Sequence, residues 1–209
     1  YLKVYFQTVV LSMTEHINKD SIISYYEKTF KDNKGGFASL AWGSRKSQER
    51  RFEILSQVAP LMGASVLDVG CGLGDFYGWA CRTGLQISYK GIDITPCMLS
   101  QARKKYKNTK FEEIDLLVDE LPLFSVDYVI SSGIFNRKIP QHSHFVEQMI
   151  SKMYSICKKG VAFNIMSKKA DYKEETEFYA DPGEILNYSL KLSRKVVLNH
   201  NYMSHDFTV

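Results

Sequence analysis

The sequence has little of what marks secreted, membrane-spanning or disulfide-rich proteins. Its 209 residues include only four cysteines, without a C-x-x-C pair, so neither a disulfide scaffold nor a structural zinc motif is expected. No apolar run approaches the roughly 20 residues that a membrane-spanning helix needs. The opening Leu2–Leu11 also lacks the charged start and cleavage site of a signal peptide. We therefore expect a cytoplasmic protein with no membrane partner.

An excess of one charge is also missing. The 27 basic and 23 acidic side chains give a net charge of +4, too small and too mixed to indicate nucleic acid binding. The basic run Arg103–Lys107 falls on an expected helix, where a solvated outer face is the simpler interpretation. With 44% hydrophobic and 24% charged residues and no repeat or low-complexity linker, the sequence predicts one globular domain over residues 1–209.

Hydrophobic patterning divides the chain into two parts. Amphipathic helices are expected at about Thr14–Asp32 and Ser44–Val58, and they would form a helical cap or lid over residues 1–62. From residue 63 a cofactor-binding α/β core is expected, in which short apolar runs alternate with helical stretches. The expected strands are Val66–Val69, Ile87–Ile92, Lys110–Ile114, Tyr128–Ser131 and Val161–Met166. The expected helices between them are Asp75–Arg82, Pro96–Tyr106 and Gln141–Cys157.

This alternation predicts a doubly wound, mostly parallel sheet. The end of the chain departs from it, because Lys195–Leu198 and Asp206–Val209 are strand-like but are joined by the short polar segment Asn199–His205. Seven residues are too few for a crossover helix. An antiparallel hairpin is therefore expected at the end of the sheet.

A glycine-rich turn follows the first of these strands. Gly70, Gly72 and Gly74 flank Cys71 and Leu73 between an apolar strand and a helix. Without a Cβ at alternate positions, the backbone can turn sharply and approach a ligand, while the helix directs its amide donors at that ligand. The turn is suited to a nucleotide-like group.

Acidic residues end the next two strands. Asp93 stands about 20 residues beyond the turn, before Ile94, and its carboxylate could accept hydrogen bonds from ribose hydroxyls. Asp115 precedes Leu116, a pair suited to an adenine amino group and the ring face. A nicotinamide cofactor fits less well, because the G-x-G-x-x-G fingerprint would need glycine where Asp75 stands.

In this combination the sequence resembles the class I, Rossmann-like S-adenosylmethionine-dependent methyltransferases. Their first motif is matched by Asp68-x-Gly70-x-Gly72-x-Gly74, and the resemblance spans about Ser44–Val209. The short sequences Trp42–Arg45, Ser132–Asn136 and Asp181–Gly183 are similar to those of small bacterial-type members of this family. The resemblance implies a seven-stranded sheet with a C-terminal antiparallel hairpin and N-terminal helices as a lid.

The resemblance also implies S-adenosylmethionine as cofactor, S-adenosylhomocysteine as product, and roles for individual residues. The glycine turn with Cys71 would line the methionine moiety, and Asp68 would orient the turn or reach the amino group through water. The remaining implied cofactor residues are Asp93 and Ile94 at the ribose, Asp115 and Leu116 at the adenine, and Ser132 at the floor. Arg45 either pairs with the cofactor carboxylate or is a surface charge.

Residues for the methyl acceptor are less clearly indicated. Asn136, His142 and His144 follow the fourth strand and are candidates for a general base, although both histidines could simply decorate a helix. Tyr25, Tyr26 and Trp42 could contact the substrate or only cover the sheet. No metal is expected, because histidines two residues apart on a helix face different directions and no acid cluster accompanies them.

The segment after the fourth strand narrows the acceptor class. Family members that methylate amino groups of bases or protein amides often carry an Asn or Asp, two prolines and an aromatic residue there, whereas this chain has Ser131–Phe135. A small-molecule or biosynthetic acceptor is therefore preferred, and a nucleic acid partner is not favoured. Two alternatives stay open: an RNA methyltransferase with a continuous basic patch around the cleft, and a non-catalytic protein that binds an adenosyl cofactor.

Overall fold

The computed structural model describes residues 19–58 and 60–209. Within them, the helices follow the expected order, with a short 3-10 helix at Phe37–Leu40 between the first two. The expected start of the first helix near Thr14 lies outside the described residues. The α-helices are α1 (Lys19–Asp32), α2 (Arg45–Val58), α3 (Asp75–Thr83), α4 (Pro96–Lys105), α5 (His142–Ile156) and α6 (Pro182–Leu192).

The strands form one mixed sheet in the order β3-β2-β1-β4-β5-β7-β6. The first five strands run parallel, and β7 is antiparallel to both of its neighbours. The strands are β1 (Ser65–Val69), β2 (Ser88–Asp93), β3 (Lys110–Glu113), β4 (Val126–Ser132), β5 (Cys157–Met166), β6 (Asn199–Met203) and β7 (Asp206–Thr208). The predicted seven-stranded, doubly wound sheet with a terminal hairpin is therefore confirmed. From β1 the chain adds β2 and β3 on one side of the sheet, and it then continues with β4 on the other side of β1. Doubly wound sheets bind their ligands at this reversal, between β1 and β4.

Alternating strand residues pack against helices on the two faces of the sheet. Leu67 and Val69 of β1 join an apolar cluster with Phe145 and Met149 of α5. Val66 points to the opposite face, whose cluster includes side chains from α2, α3 and α4. Both faces are therefore covered, as the continuous apolar runs of the parallel strands require.

The first strand of the terminal hairpin lies farther along the chain than expected, whereas the second lies where it was predicted. Lys195–Leu198 precedes the hairpin as irregular backbone, and the segment expected to be the connection forms β6. β6 is an edge strand with mostly half-buried residues, so its sequence is polar and lacks the apolar signal of a central strand. Val196 and Leu198 nevertheless pack against the apolar core, which explains their strand-like pattern.

Helix α6 is an addition to the expected elements. Asp181 caps it, because its carboxylate accepts hydrogen bonds from the N–H groups of Gly183 (2.8 Å) and Glu184 (3.2 Å), and Pro182 occupies the first turn. The Asp-Pro-Gly-Glu sequence is thus a helix start. Among the described helices, none combines the length and the apolar character needed to cross a membrane.

Candidate active site

A large cleft lies where the winding of the sheet reverses. Its volume is about 1650 Å³, and it is lined by the ends of β1 to β4, by the glycine turn and by α1 with the 3-10 segment above them. Pockets for one small ligand commonly measure about 300–1,000 Å³. The cleft is therefore large enough for two small molecules side by side.

The glycine turn is packed too tightly for side chains. Gly70 and Gly72 have φ values of +72° and +53°, which L-residues with a Cβ rarely adopt. A Cβ on Gly70 would clash with Cγ2 of Ile134, and one on Gly72 would lie 2.9 Å from Cδ2 of Leu40. Bare backbone therefore forms this wall of the cleft, with Leu40 resting on it.

The carboxylate of Asp93 ties the glycine turn to the second strand. Its Oδ2 accepts the N–H of Gly72 and its Oδ1 accepts the N–H of Thr95, both at 2.8 Å. Burial raises the pKa of Asp93, and these backbone hydrogen bonds oppose that rise. Asp93 also lines the cleft, so a ligand there can donate hydrogen bonds to its carboxylate.

A second carboxylate, Asp68, is buried beneath the turn and lines the cleft. It is only 4% exposed, and its Oδ2 accepts a hydrogen bond of 2.7 Å from the Tyr89 hydroxyl. Burial raises the pKa of Asp68 to about 7, although the Tyr89 hydrogen bond acts in the opposite direction. A cation beside this carboxyl group would favour its ionised form.

Gln48 on α2 is a cleft residue that the sequence does not reveal. Gln48 is 2% exposed, and its Nε2 donates to Oδ2 of Asp75 at 3.4 Å. The other oxygen of Asp75, Oδ1, accepts a hydrogen bond from Lys105. Among the described residues, Oε1 of Gln48 has no hydrogen-bond partner. A buried acceptor without a donor is costly, so this atom is suited to a ligand that donates. A glutamine within an amphipathic helix carries no recognisable sequence signal.

The ends of β3 and β4 form the opposite part of the cleft. Asp115 accepts the N–H of Leu117 at 3.1 Å and pairs with Lys19 at 3.3 Å. Ile94 and the buried Leu116 add apolar surface beside it. Ser132, at the floor, accepts a hydrogen bond of 3.0 Å from the Asn164 amide.

Aromatic side chains cover the side expected to receive the acceptor. Tyr25 and Tyr26 meet edge to face at 5.2 Å, and the Trp42 ring lies so close to Gly133 that a Cβ there would be 2.8 Å from it. Burial, followed by the charge of Asp93, raises the pKa of Tyr26. Asn136 and His144 also line the cleft.

Three of the expected site residues do not line the cleft. Arg45 is exposed, with its guanidinium 4.7 Å from the Phe37 ring centre. His142 is buried, stacks on Phe178 at 3.8 Å and accepts the N–H of Ile139 through Nδ1. Gly74 begins α3 and packs against aromatic rings behind the turn. The guanidinium of Arg45 thus lies on the outside of the protein, and the imidazole of His142 belongs to the core.

Two cations of the basic run Arg103–Lys107, which is interpreted above as a solvated face, have partners within the chain. Lys105 pairs with Asp75 at 3.0 Å, and Nε of Arg103 donates to the Phe111 carbonyl at 2.9 Å. On α2, Arg51 forms a buried ion pair with Asp206, so it belongs to the interior rather than to a solvated face. In the part of the chain that the structure describes, no group of three or more His, Cys, Asp or Glu residues could hold a metal ion.

The fold and the cleft define a Rossmann-like protein with a site for a nucleoside cofactor. A family model described as a methyltransferase domain matches residues 61–205, and the chain belongs to this family. A Mycobacterium tuberculosis protein named as a methyltransferase, Rv1506c, is 25% identical over 152 residues, covering 69% of this chain and 90% of that protein.

Other relatives match over shorter regions. A tRNA U34 carboxymethyltransferase from Geobacter is 30% identical, covering 59% of this chain and 41% of that protein. An aklanonic acid methyltransferase from Streptomyces is 37% identical, covering 35% of this chain and 36% of that protein. The matched part thus spans less than half the length of both of these relatives.

Solved structures share the fold. An S-adenosylmethionine-dependent methyltransferase from Aquifex aeolicus superimposes with a TM-score of 0.63 at 17% identity, covering 88% of this chain and 96% of that one. Magnesium protoporphyrin IX methyltransferase from Synechocystis, solved with bound S-adenosylmethionine, gives 0.63 at 15% identity, covering 94% of this chain and 98% of that one. The family match over residues 61–205 makes the chain a methyltransferase, and its fold is that of the class I, S-adenosylmethionine-dependent enzymes.

The cleft fits this cofactor chemically. A methionine moiety needs a wall without side chains, which Gly70 and Gly72 provide, and acceptors for its ammonium group. Oε1 of Gln48, which has no partner among the described residues, and the buried carboxyl group of Asp68 could serve as such acceptors on the cleft wall. The ribose and adenine need the hydrogen-bonding and apolar groups that the ends of β2 and β3 offer.

Proposed function

We propose that the chain methylates a small-molecule acceptor that enters the cleft beside the cofactor. The observation that carries this proposal is the continuity of the cleft, which runs from the glycine turn to the aromatic side chains of Tyr25, Tyr26 and Trp42. Its volume of about 1650 Å³ leaves room for an acceptor as well as a cofactor. A non-catalytic cofactor-binding protein would have no use for this second space.

In this proposal the chain acts mainly by positioning. When bound, S-adenosylmethionine supplies an activated methyl group on a sulfonium sulfur. Asp93 would hold the ribose and fix the glycine turn, while Gln48 and Asp68 would hold the ammonium group. Holding two reactants in line can supply much of the rate enhancement by itself.

The acceptor side offers groups for orientation and proton transfer. Asn136 and His144 line the cleft, so either can orient an acceptor hydroxyl or amine, and His144 can also take a proton. Their roles remain predictions. Trp42 and Tyr25 would enclose an acceptor between aromatic surfaces.

The printed names of the relatives support two acceptor classes. The aklanonic acid methyltransferase and a trans-aconitate 2-methyltransferase from Rhodopseudomonas palustris are named for small organic acids, whereas several relatives are named for tRNA. The engagement of Arg51, Arg103 and Lys105 within the chain supports the small-molecule class. An RNA-binding surface would need such cations free to release counterions from phosphates.

Calorimetry with S-adenosylmethionine, S-adenosylhomocysteine and NAD tests the cofactor site. We expect the two sulfur cofactors to bind, NAD not to bind, and Asp93→Ala to weaken binding by at least about 100-fold, since loss of hydrogen bonds to a charged group costs roughly 1.5–3 kcal/mol each. Asp171→Ala removes an exposed carboxylate outside the cleft and serves as the matched control. Binding of NAD alone would contradict the assigned roles.

Methyl transfer to candidate acceptors separates the two classes. Radiolabelled cofactor is incubated either with a panel of small organic acids, phenols and amines or with bulk tRNA, at low and high salt. The small-molecule proposal expects labelled small products. Labelled tRNA, with transfer that falls steeply as salt is raised, would support the alternative instead.

A further inference from the structure

Arg137 lines the cleft, and its positive charge has no ion-pair partner among the described residues. It is half-buried in the loop after β4, and its guanidinium carbon is 4.3 Å from the centre of the Tyr25 ring. Among the described residues it forms no ion pair and donates no side-chain hydrogen bond. The five N–H donors of Arg137 therefore have no side-chain or ion-pair acceptor within residues 19–58 and 60–209.

The backbone around Arg137 is held in place. Lys138 donates its N–H to the Thr176 carbonyl at 3.0 Å, and Phe178 donates its N–H to the Asn136 carbonyl at 2.8 Å. Arg137 and Glu177 are bridge partners between these two hydrogen bonds. The side chain consequently projects from a fixed position instead of from a loose loop.

The charged residues beside Arg137 in the cleft have other partners, so its guanidinium is available to bind an anion. Lys19, another cation of the cleft, pairs with Asp115 at 3.3 Å. Glu177, the acid beside Arg137 in the bridge, accepts the hydroxyl of Tyr179 at 3.0 Å instead of pairing with the guanidinium. Stacking on the Tyr25 ring uses the face of the guanidinium and leaves its N–H edge available for a planar anion.

Resting on the proposed function, we propose that Arg137 binds a carboxylate of the methyl acceptor. A carboxylate matches the guanidinium edge with two parallel N–H···O bonds, which fix both the position and the rotation of the acceptor. Arg137 follows Asn136 in the loop after β4 and stacks on Tyr25, which the proposed function assigns to the acceptor, whereas it assigns Gln48 and the glycine turn to the methionine moiety. Arg137 is therefore a specificity-determining residue for an organic acid.

Titration calorimetry on the protein saturated with S-adenosylhomocysteine provides the test. The probes are trans-aconitate and a set of aryl carboxylates, each aryl carboxylate paired with its neutral carboxamide. The variants are Arg137→Met, which keeps an unbranched side chain over Tyr25, and Arg137→Lys, which keeps the charge without the planar edge. Lys138→Met is the matched control, because it removes the same charge from the exposed neighbouring residue.

We expect at least one carboxylate to bind the wild type at least tenfold more tightly than its amide. Arg137→Met should lose this preference, Arg137→Lys should retain part of it, and Lys138→Met should keep it. The proposal is overturned if no carboxylate is preferred over its amide, or if Arg137→Met keeps the preference. A tenfold loss of S-adenosylhomocysteine affinity in Arg137→Met would also overturn it, by assigning Arg137 to the carboxylate of the cofactor. Failure of the wild type to bind S-adenosylhomocysteine would instead refute the proposed function.

Discussion

Replacing Asp68 by asparagine should change how the stability of the free protein depends on pH. The carboxyl group is 4% exposed, and its pKa is raised from 3.8 to about 7, mainly by burial. In the unfolded chain the group ionises near its ordinary pKa. The folded state therefore binds the proton more tightly, and its stability falls as pH rises between these two values.

The size of the effect follows from the two pKa values. A rise from 3.8 to about 7 corresponds to a full penalty of roughly 4 kcal/mol, of which about 3 kcal/mol develops between about pH 4.5 and about pH 8. Asp68→Asn cannot ionise, and its side-chain oxygen can still accept the Tyr89 hydroxyl. Any cost of the buried amide N–H groups in the variant is independent of pH and cancels in the comparison.

Urea unfolding of the wild type and Asp68→Asn at these two pH values is the assay. The free energy of unfolding of the wild type, minus that of the variant, should fall by about 3 kcal/mol on going to the higher pH. Titrating groups that do not interact with Asp68 contribute equally to both proteins and cancel in the difference. A difference that stays constant within about 0.5 kcal/mol would refute the reasoning, because it would mean that Asp68 is ionised throughout.

Two further perturbations test the packing of the glycine turn and of the buried histidine. Gly84→Ala introduces a Cβ at φ +74° in open space, whereas Gly70→Ala introduces one at φ +72° against Ile134. In urea unfolding, Gly84→Ala should lower the free energy of unfolding by about 1 kcal/mol, and Gly70→Ala by at least about 2 kcal/mol more. Equal losses of unfolding free energy in the two variants would contradict this expectation, because they would mean that the Ile134 side chain moves aside without cost. Burial lowers the pKa of His142 to about 4 from 6.5, so this group removes stability as pH falls through that range. His142→Asn should make unfolding less sensitive to pH there, and an unchanged slope would contradict the assignment.

The sheet and its ligand-binding edge could be predicted because their signals are local. The run Val66–Val69 is buried on both faces, so all of its residues except Asp68 are apolar. The glycines after it mark a turn whose backbone has no room for side chains. Asp93 could be predicted for the same reason, since it ends a strand at a fixed distance from the turn. The misplaced strand at Lys195–Leu198 shows the limit: apolar residues that contact the core from irregular backbone look like a strand, while the true edge strand looks like a loop.

The walls of the cleft were harder to predict because they depend on tertiary contacts. Gln48 reaches the cleft only because α2 packs beside α3, and nothing in its helix distinguishes it from a solvated glutamine. Arg137 becomes a cleft residue through the backbone hydrogen bonds that join Asn136 and Lys138 to a segment about 40 residues away. The reverse holds for Arg45, whose neighbours in sequence suggested a site residue but whose side chain lies over Phe37.

The same buried groups link the stability of the free chain to cofactor binding. In the described structure Oε1 of Gln48 has no donor, and Asp68 has the Tyr89 hydroxyl as a donor but no ion pair. Oε1 of Gln48, and Asp68 when it is ionised, therefore each raise the free energy of the folded state. Under the proposed function, an ammonium group supplies a donor to the first and a positive charge to the second. Binding of the ammonium group would then remove both unfavourable contributions to the free energy of the folded state. A ligand with this group would gain affinity from that change. An analogue without the amino group would leave both costs in place, although it could contact Asp93 and Asp115 equally well.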